Sequence, residues 1–155
     1  MPITVLLPEG YEFKPLHLDD YNKGYLPLLE QLTQVGNITQ QTFQTQFEWF
    51  QKHADIHRII VIKDTQTNQC VATGSIMVER KFIHECGQVG HVEDIVVCES
   101  TRGKKLGKAL IDQLIGCGKD MGCYKVLLSC AEKNVGFYEK CLLNRKEITM
   151  AHYFK

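Results

Sequence analysis

The chain has 155 residues, with 18 basic and 18 acidic side chains and a formal net charge of zero. That length fits a single domain, residues 1–155, around one sizeable core. The balanced charge argues against a nucleic-acid partner, which calls for a basic excess on one face. No apolar run reaches the ~18 residues of a membrane helix, and the start MPITVLLPEGYEF lacks a charged segment ahead of an apolar signal core, so the expectation is a soluble, cytoplasmic protein with no membrane partner.

In chain order, "YEFKPLHL" alternates and predicts a first strand, which Pro15 places near a sheet edge. Asp19 or Asp20 is positioned to cap a helix running towards Val35, and Pro27 must interrupt or restart it. Thr39 caps a second predicted helix, where Phe43, Phe47 and Phe50 fall at i, i+4 and i+7 and form a core stripe. "RIIVIKD" and "CVATGSIMVERK" flank the turn-like "TQTNQ" and predict a hairpin. "QVGHVEDIVVC" is the next strand, followed by a turn and a helix from about Lys104 to Lys119. "CYKVLLSC" is another strand, "NVGFYEKC" a short helix that Asn134 can cap, and "EITMAHYF" alternates like a final strand. The order β-α-α-β-β-β-α-β-α-β is that of an α+β domain.

The seven cysteines form no C-x-x-C pair, and several sit inside apolar runs. They read as buried free thiols rather than a disulfide framework. His91 reads as a structural strand residue, and no H-E-x-x-H or comparable spacing suggests a metal.

The segment "STRGKKLGKALIDQL" places Arg102, Gly103, Lys104, Lys105, Leu106, Gly107 and Lys108 between a strand and a helix. Consecutive backbone N–H groups, the helix dipole and nearby cations suit a pyrophosphate there. A P-loop needs four residues between its glycines and then Gly-Lys-Ser/Thr. Here Gly103 and Gly107 enclose three, and Lys108 is followed by Ala109, so no hydroxyl is available for magnesium. The dinucleotide fingerprint G-x-G-x-x-G is absent as well.

The element order and this turn resemble the GNAT N-acetyltransferase superfamily, whose phosphate turn reads Arg/Gln-x-x-Gly-x-Gly/Ala. Arg102 and Gly107 match, whereas Lys105 stands at the middle glycine, a departure that fits if Lys105 has an ordinary helical backbone. Over a longer span, "ATGSIMVERKFIHECGQVGHVEDIVV", "GCYKVLLSC", "EKNVGFYEKC" and "LTQVGNIT" look like the glucosamine 6-phosphate N-acetyltransferase family. The resemblance implies the GNAT fold, with a central mixed, mostly antiparallel sheet flanked by helices. It also implies acetyl-CoA as cosubstrate, no metal, an amino-sugar phosphate as substrate, and a homodimer with active sites at its interface. The product would feed UDP-N-acetylglucosamine biosynthesis.

The same resemblance implies a role for each site residue. Ile95, Val96 and Val97 lie beside the pantetheine, Asn134 near its arm, and residues Arg102 to Lys108 hold the pyrophosphate. Glu93 and Asp94, with Ile95, face the sugar and help position and deprotonate the amine, while Tyr138 supports the leaving sulfur. Thr33, Lys81 and His84 contact the sugar phosphate, with Tyr124 and Lys125 supplied by the other subunit. Three departures stand against the family pattern. Ser129 occupies an acidic position, Leu142-Leu143 replaces Gly-Phe, and Tyr153 stands in place of a phosphate-binding arginine. A transferase for another small amine and a non-catalytic acetyl-CoA-binding module are the alternatives.

Overall fold

Five strands form one sheet in the computed structural model, which describes residues 4–154. They are β1 (Tyr11–Pro15), β2 (His57–Asp64), β3 (Cys70–Arg80), β4 (Gln88–Val97) and β5 (Cys123–Leu127), adjacent in that order. The first four pair antiparallel and β5 joins β4 parallel. β1 is an edge strand, as Pro15 requires, because a residue without an N–H cannot sit in an interior ladder. The fold is the α+β arrangement expected, with a mixed, mostly antiparallel sheet.

The helices are α1 (Tyr25–Glu30), α2 (Gln40–Lys52), the single turn α3 (Ile83–Cys86), α4 (Leu106–Asp120) and α5 (Val135–Glu139). Thr39 caps α2, accepting from the Thr42 N–H at 3.1 Å. Phe43 and Phe47 are buried on one side of the sheet with Tyr25, Leu28, Val61 and Val96. On the other side α4 buries Leu106, Leu110, Ile111 and Leu114 against Ile62, Ile76 and Val92. The parallel β4–α4–β5 crossover sets the direction of the cleft between the two strands.

Four expectations change. The segment of "EITMAHYF" is not a strand, and its Ile148, Met150, Tyr153 and Phe154 are 92, 92, 88 and 93 % exposed. Alternation makes a strand only where a neighbour pairs with it, and among the described residues this segment pairs with none of the five strands. Asp20 is no simple cap: it is buried, with Oδ1 2.5 Å from Lys63 Nζ and Oδ2 accepting from the His17 N–H. Asn134 is exposed and makes no side-chain cap at α5. The thiols are free, but only Cys70, Cys117 and Cys141 are buried, and Cys86 and Cys130 are exposed.

Candidate functional site

β4 and β5 pair only from Gln88–Cys123 to His91–Leu127. Beyond His91 the two strands part, which leaves the β5-facing edge of β4 without ladder partners over Ile95, Val96 and Val97. A strand edge of this kind presents N–H and C=O groups to an extended, amide-bearing ligand.

On its other edge β4 carries a bulge. Thr73 pairs with Val96 and Ser75 with Glu93, so β4 has one residue more than β3 between these pairs. Asp94 absorbs it at φ 53°, in the left-handed region. Gly74 faces the bulge, and a Cβ there would collide with the Ile95 side chain, so the glycine is needed for close approach. Glu93 and Asp94 are both exposed, and the Ser75 hydroxyl donates to the Glu93 carbonyl at 3.4 Å. Nearby, burial pushes the Tyr25 phenol up to about 12, so it remains neutral behind the bulge.

A cavity of about 910 Å³ opens where the strands separate, lined by His91, Glu93, Ser129, Tyr138 and residues 143–149. Tyr138 is half-buried, and burial pushes its phenol above the ordinary value, so it is a hydrogen-bond donor at neutral pH. Ser129 Oγ lies 2.6 Å from Thr149 Oγ1 and ties the C-terminal segment to the end of β5.

The basic turn is built as a helix start. Arg102 is extended, Gly103 is left-handed at φ 83°, and Lys105 is the N-cap residue of α4 at φ 63°, ψ 14°. The ordinary helical backbone expected of Lys105 is thus not what forms. A lysine takes the glycine's conformation, at a cost of about 1–2 kcal/mol. The first α4 bond runs from the Ala109 N–H to the Lys105 carbonyl, and no side chain caps the helix. The amides of Leu106, Gly107 and Lys108 therefore stand as the open donors of the first turn. Gly107 owes its place to packing: a Cβ would lie 3.2 Å from Phe137 and 3.5 Å from Val97. Three turn cations have partners: Arg102 donates to the Val97 carbonyl at 3.3 Å, Lys104 to the Tyr11 hydroxyl at 2.7 Å, and Lys108 pairs with Asp112 at 2.6 Å.

At the far end of β3 and β4, α3 turns the chain through His84, Glu85 and Cys86, all at positive φ. The His84 ring packs on Tyr124 of the same chain with centroids 4.3 Å apart and planes tilted by 35°. Lys81, half-buried beside them, pairs with Glu79 at 2.6 Å. Glu79 also holds His91 at 2.7 Å. The structure thus brings Lys81, His84 and Tyr124 to one corner, with Lys125 next along β5. Thr33 lies on the exposed turn after α1, outside the cavity. Neither Glu79 nor the cavity-lining position of His91 was expected from the sequence; their period-two placement on neighbouring strands was the available signal.

Among the described residues, no group of three or more His, Cys, Asp or Glu side chains could hold a metal. No helix among them is long and apolar enough to cross a membrane.

The acetyltransferase (GNAT) family model matches residues 19–142. The chain is 45 % identical over 151 residues to glucosamine 6-phosphate N-acetyltransferase 1 of Dictyostelium discoideum, covering 97 % of this chain and 96 % of that protein. It is 43 % identical to the Arabidopsis thaliana glucosamine 6-phosphate N-acetyltransferase, covering 96 % of this chain and 99 % of that protein. The crystal structure of the Arabidopsis thaliana enzyme aligns with a TM-score of 0.92, covering 95 % of this chain and 100 % of that one. A predicted acetyltransferase from Clostridium acetobutylicum, solved with acetyl-CoA, shares the fold at a TM-score of 0.69 and 13 % identity, covering 92 % of this chain and 96 % of that one.

Proposed function

The chain belongs to the GNAT acetyltransferase family, and from that premise we propose that it moves the acetyl group of acetyl-CoA to the amine of D-glucosamine 6-phosphate. The observation that carries the reading is the parting of β4 from β5, which leaves the edge of β4 open from the bulge at Asp94 to Val97, where Gly107 at the start of α4 packs. The names borne by its relatives point to the same substrate.

Each part of the reaction has a group suited to it. The amides of Leu106, Gly107 and Lys108, flanked by Arg102, Gly103, Lys104 and Lys105, bind the pyrophosphate. The free edge of Ile95, Val96 and Val97 runs beside the pantetheine, with Asn134 near its arm. A backbone N–H at the bulge meets the oxyanion that develops as nitrogen attacks the thioester carbon. The Glu93 carboxylate and the oxygens of Asp94 orient the amine and draw off its proton. The C–N bond forms, the C–S bond breaks, and Tyr138 donates its proton to the departing thiolate.

That acid is helpful rather than indispensable, since an ordinary thiol has a pKa of about 8.5. Tyr138→Phe should lower turnover by about 10- to 100-fold, the lower part of the usual range for an acid, with little change in cofactor affinity. Turnover at the wild-type rate with chemistry rate-limiting would reduce Tyr138 to a packing residue.

Lys81, His84 and Thr33 contact the sugar phosphate from one subunit, with Tyr124 and Lys125 supplied by the other. A homodimer completes the site. In support, one copy leaves Ile148, Met150, Tyr153 and Phe154 uncovered, along with Phe82 at 94 % exposure. Sedimentation at low micromolar concentration tests this, and an active monomer contradicts it.

A second reading, acetylation of a different small amine, draws on Ser129, a neutral hydroxyl engaged by Thr149 where the family pattern implies a carboxylate. Thiol release measured with a panel of amino sugars separates the readings. The proposed substrate should show the highest kcat/KM, and a higher value for another amine overturns the assignment.

A further inference from the structure

Glu79 divides its carboxylate between two partners. Oε1 accepts from Lys81 Nζ at 2.6 Å and Oε2 meets His91 Nε2 at 2.7 Å. All three side chains are partly exposed, at 43 % for Glu79, 27 % for Lys81 and 28 % for His91. The register explains the meeting. Glu79 pairs with Val89 and Met77 with His91, so Glu79 and His91 are diagonal neighbours on one face of the sheet. Ser75 and Glu93 share that face further along, and His91 and Glu93 both line the cavity.

Along β4, His91 lies three residues from the bulge at Asp94, which is about 10 Å at roughly 3.3 Å per residue. If the amine sits at the bulge, the opposite end of a phosphorylated hexosamine reaches His91 and the Lys81 ammonium. Lysine is a point charge on a flexible stem, and the carboxylate fixes where that charge stands. The Glu79 carboxyl itself lies below the usual range because Lys81 and then His91 hydrogen-bond to it.

We infer that Glu79 is a positioning residue for the substrate's phosphate end, holding Lys81 as its cation and His91 as a second contact. The inference rests on the reading of Lys81 given under Proposed function. A rival effect has the opposite sign: a carboxylate near a phosphate repels it, so removing the charge would then improve binding.

Steady-state kinetics with D-glucosamine 6-phosphate and with D-glucosamine decide between them. Glu79→Gln should raise KM for the phosphorylated amine by about tenfold, with kcat nearly kept. The effect on kcat/KM for D-glucosamine should be several-fold smaller. In a Lys81→Met background Glu79→Gln should add little, because the two act through one contact. Glu79→Asp, which keeps the charge but shortens its reach, should move in the same direction. Thermal unfolding and acetyl-CoA affinity show whether each variant is folded. A lowered KM, equal losses on both amines, or full additivity with Lys81→Met overturns the inference while leaving the proposed reaction standing. A wild-type protein inactive on both amines overturns the reaction, and the inference with it.

Discussion

At the C-terminal end of β4 the turn before α4 offers main-chain amides, fixed by Gly103, the left-handed Lys105 and the tight seat of Gly107 on Phe137. At the N-terminal end of β4, where it is still paired to β5, the corner around Lys81, His84 and Tyr124 offers side chains, held by Glu79 and by the contact of the two rings. Both are suited to phosphate, but the materials differ. Amides at a helix start are pre-placed by the fold and change little when a nearby side chain is replaced. Side-chain donors carry their own conformational freedom and depend on neighbours for their direction. The turn should therefore tolerate loss of a single cation, and the corner should not.

The largest effect is expected from a change that disturbs the amides themselves. Gly107→Asp forces a side chain against Phe137 and brings a negative charge to the helix start. Overpacking costs about 1–3 kcal/mol, and with charge repulsion added the affinity for acetyl-CoA should fall by about 100-fold. Calorimetric titration of a folded variant reads this out; unchanged affinity would remove the turn as the cofactor's anchor.

Lys81→Met tests the corner. The loss of one charged hydrogen bond should raise KM for the phosphorylated amine by about 10- to 30-fold and leave acetyl-CoA affinity unchanged. An equal loss of cofactor affinity would collapse the distinction between the two ends.

The smallest effect should come from Lys105→Gly. The substitution removes about 1–2 kcal/mol of left-handed strain while loosening the unfolded chain by about 0.5–1 kcal/mol. Stability should therefore hold or rise slightly, and acetyl-CoA affinity should change by less than about threefold, because an exposed cation contributes little. A marked fall in Tm would show that Lys105 does not adopt this backbone in solution; a large loss of affinity would show that its charge, and not the amides, holds the pyrophosphate.

The same contrast separates what could be read in the residues from what could not. The hairpin, β4 and the turn into α4 follow from local period and composition, so "RIIVIKD", "QVGHVEDIVVC" and "RGKKLGK" were sufficient to place them. The sheet and the family resemblance were legible for that reason. Relations across strands were not. Glu79 and His91 are 12 positions apart, and only the β3–β4 register makes them neighbours. Asp20 looked like a cap because its partner Lys63 is on another element, and the buried pair emerges only when the helices close over β2. Lys105 gave no sign of positive φ because its residue type does not favour it. The C-terminal alternation was legible as a pattern, but a pattern that finds no pairing partner in the sheet leaves the segment exposed.

The short zip between β4 and β5 has a further consequence for how the molecule breathes. Among the described residues four pairs, from Gln88–Cys123 to His91–Leu127, form the ladder between β5 and the sheet, whereas β3 and β4 are paired over most of their length. Segments with few ladder bonds open at lower free energy than the global transition. Amide hydrogen exchange should therefore be fastest, among the strands flanking the cleft, in β5. A ligand that lies in the gap and touches both strands supplies the missing adhesion. At about 100 times its dissociation constant it adds roughly 2.7 kcal/mol to the folded state. Acetyl-CoA bound in the gap should thus slow exchange most in Cys123–Leu127 and in the open half of β4, turning the loosest strand of the sheet into a reporter of occupancy.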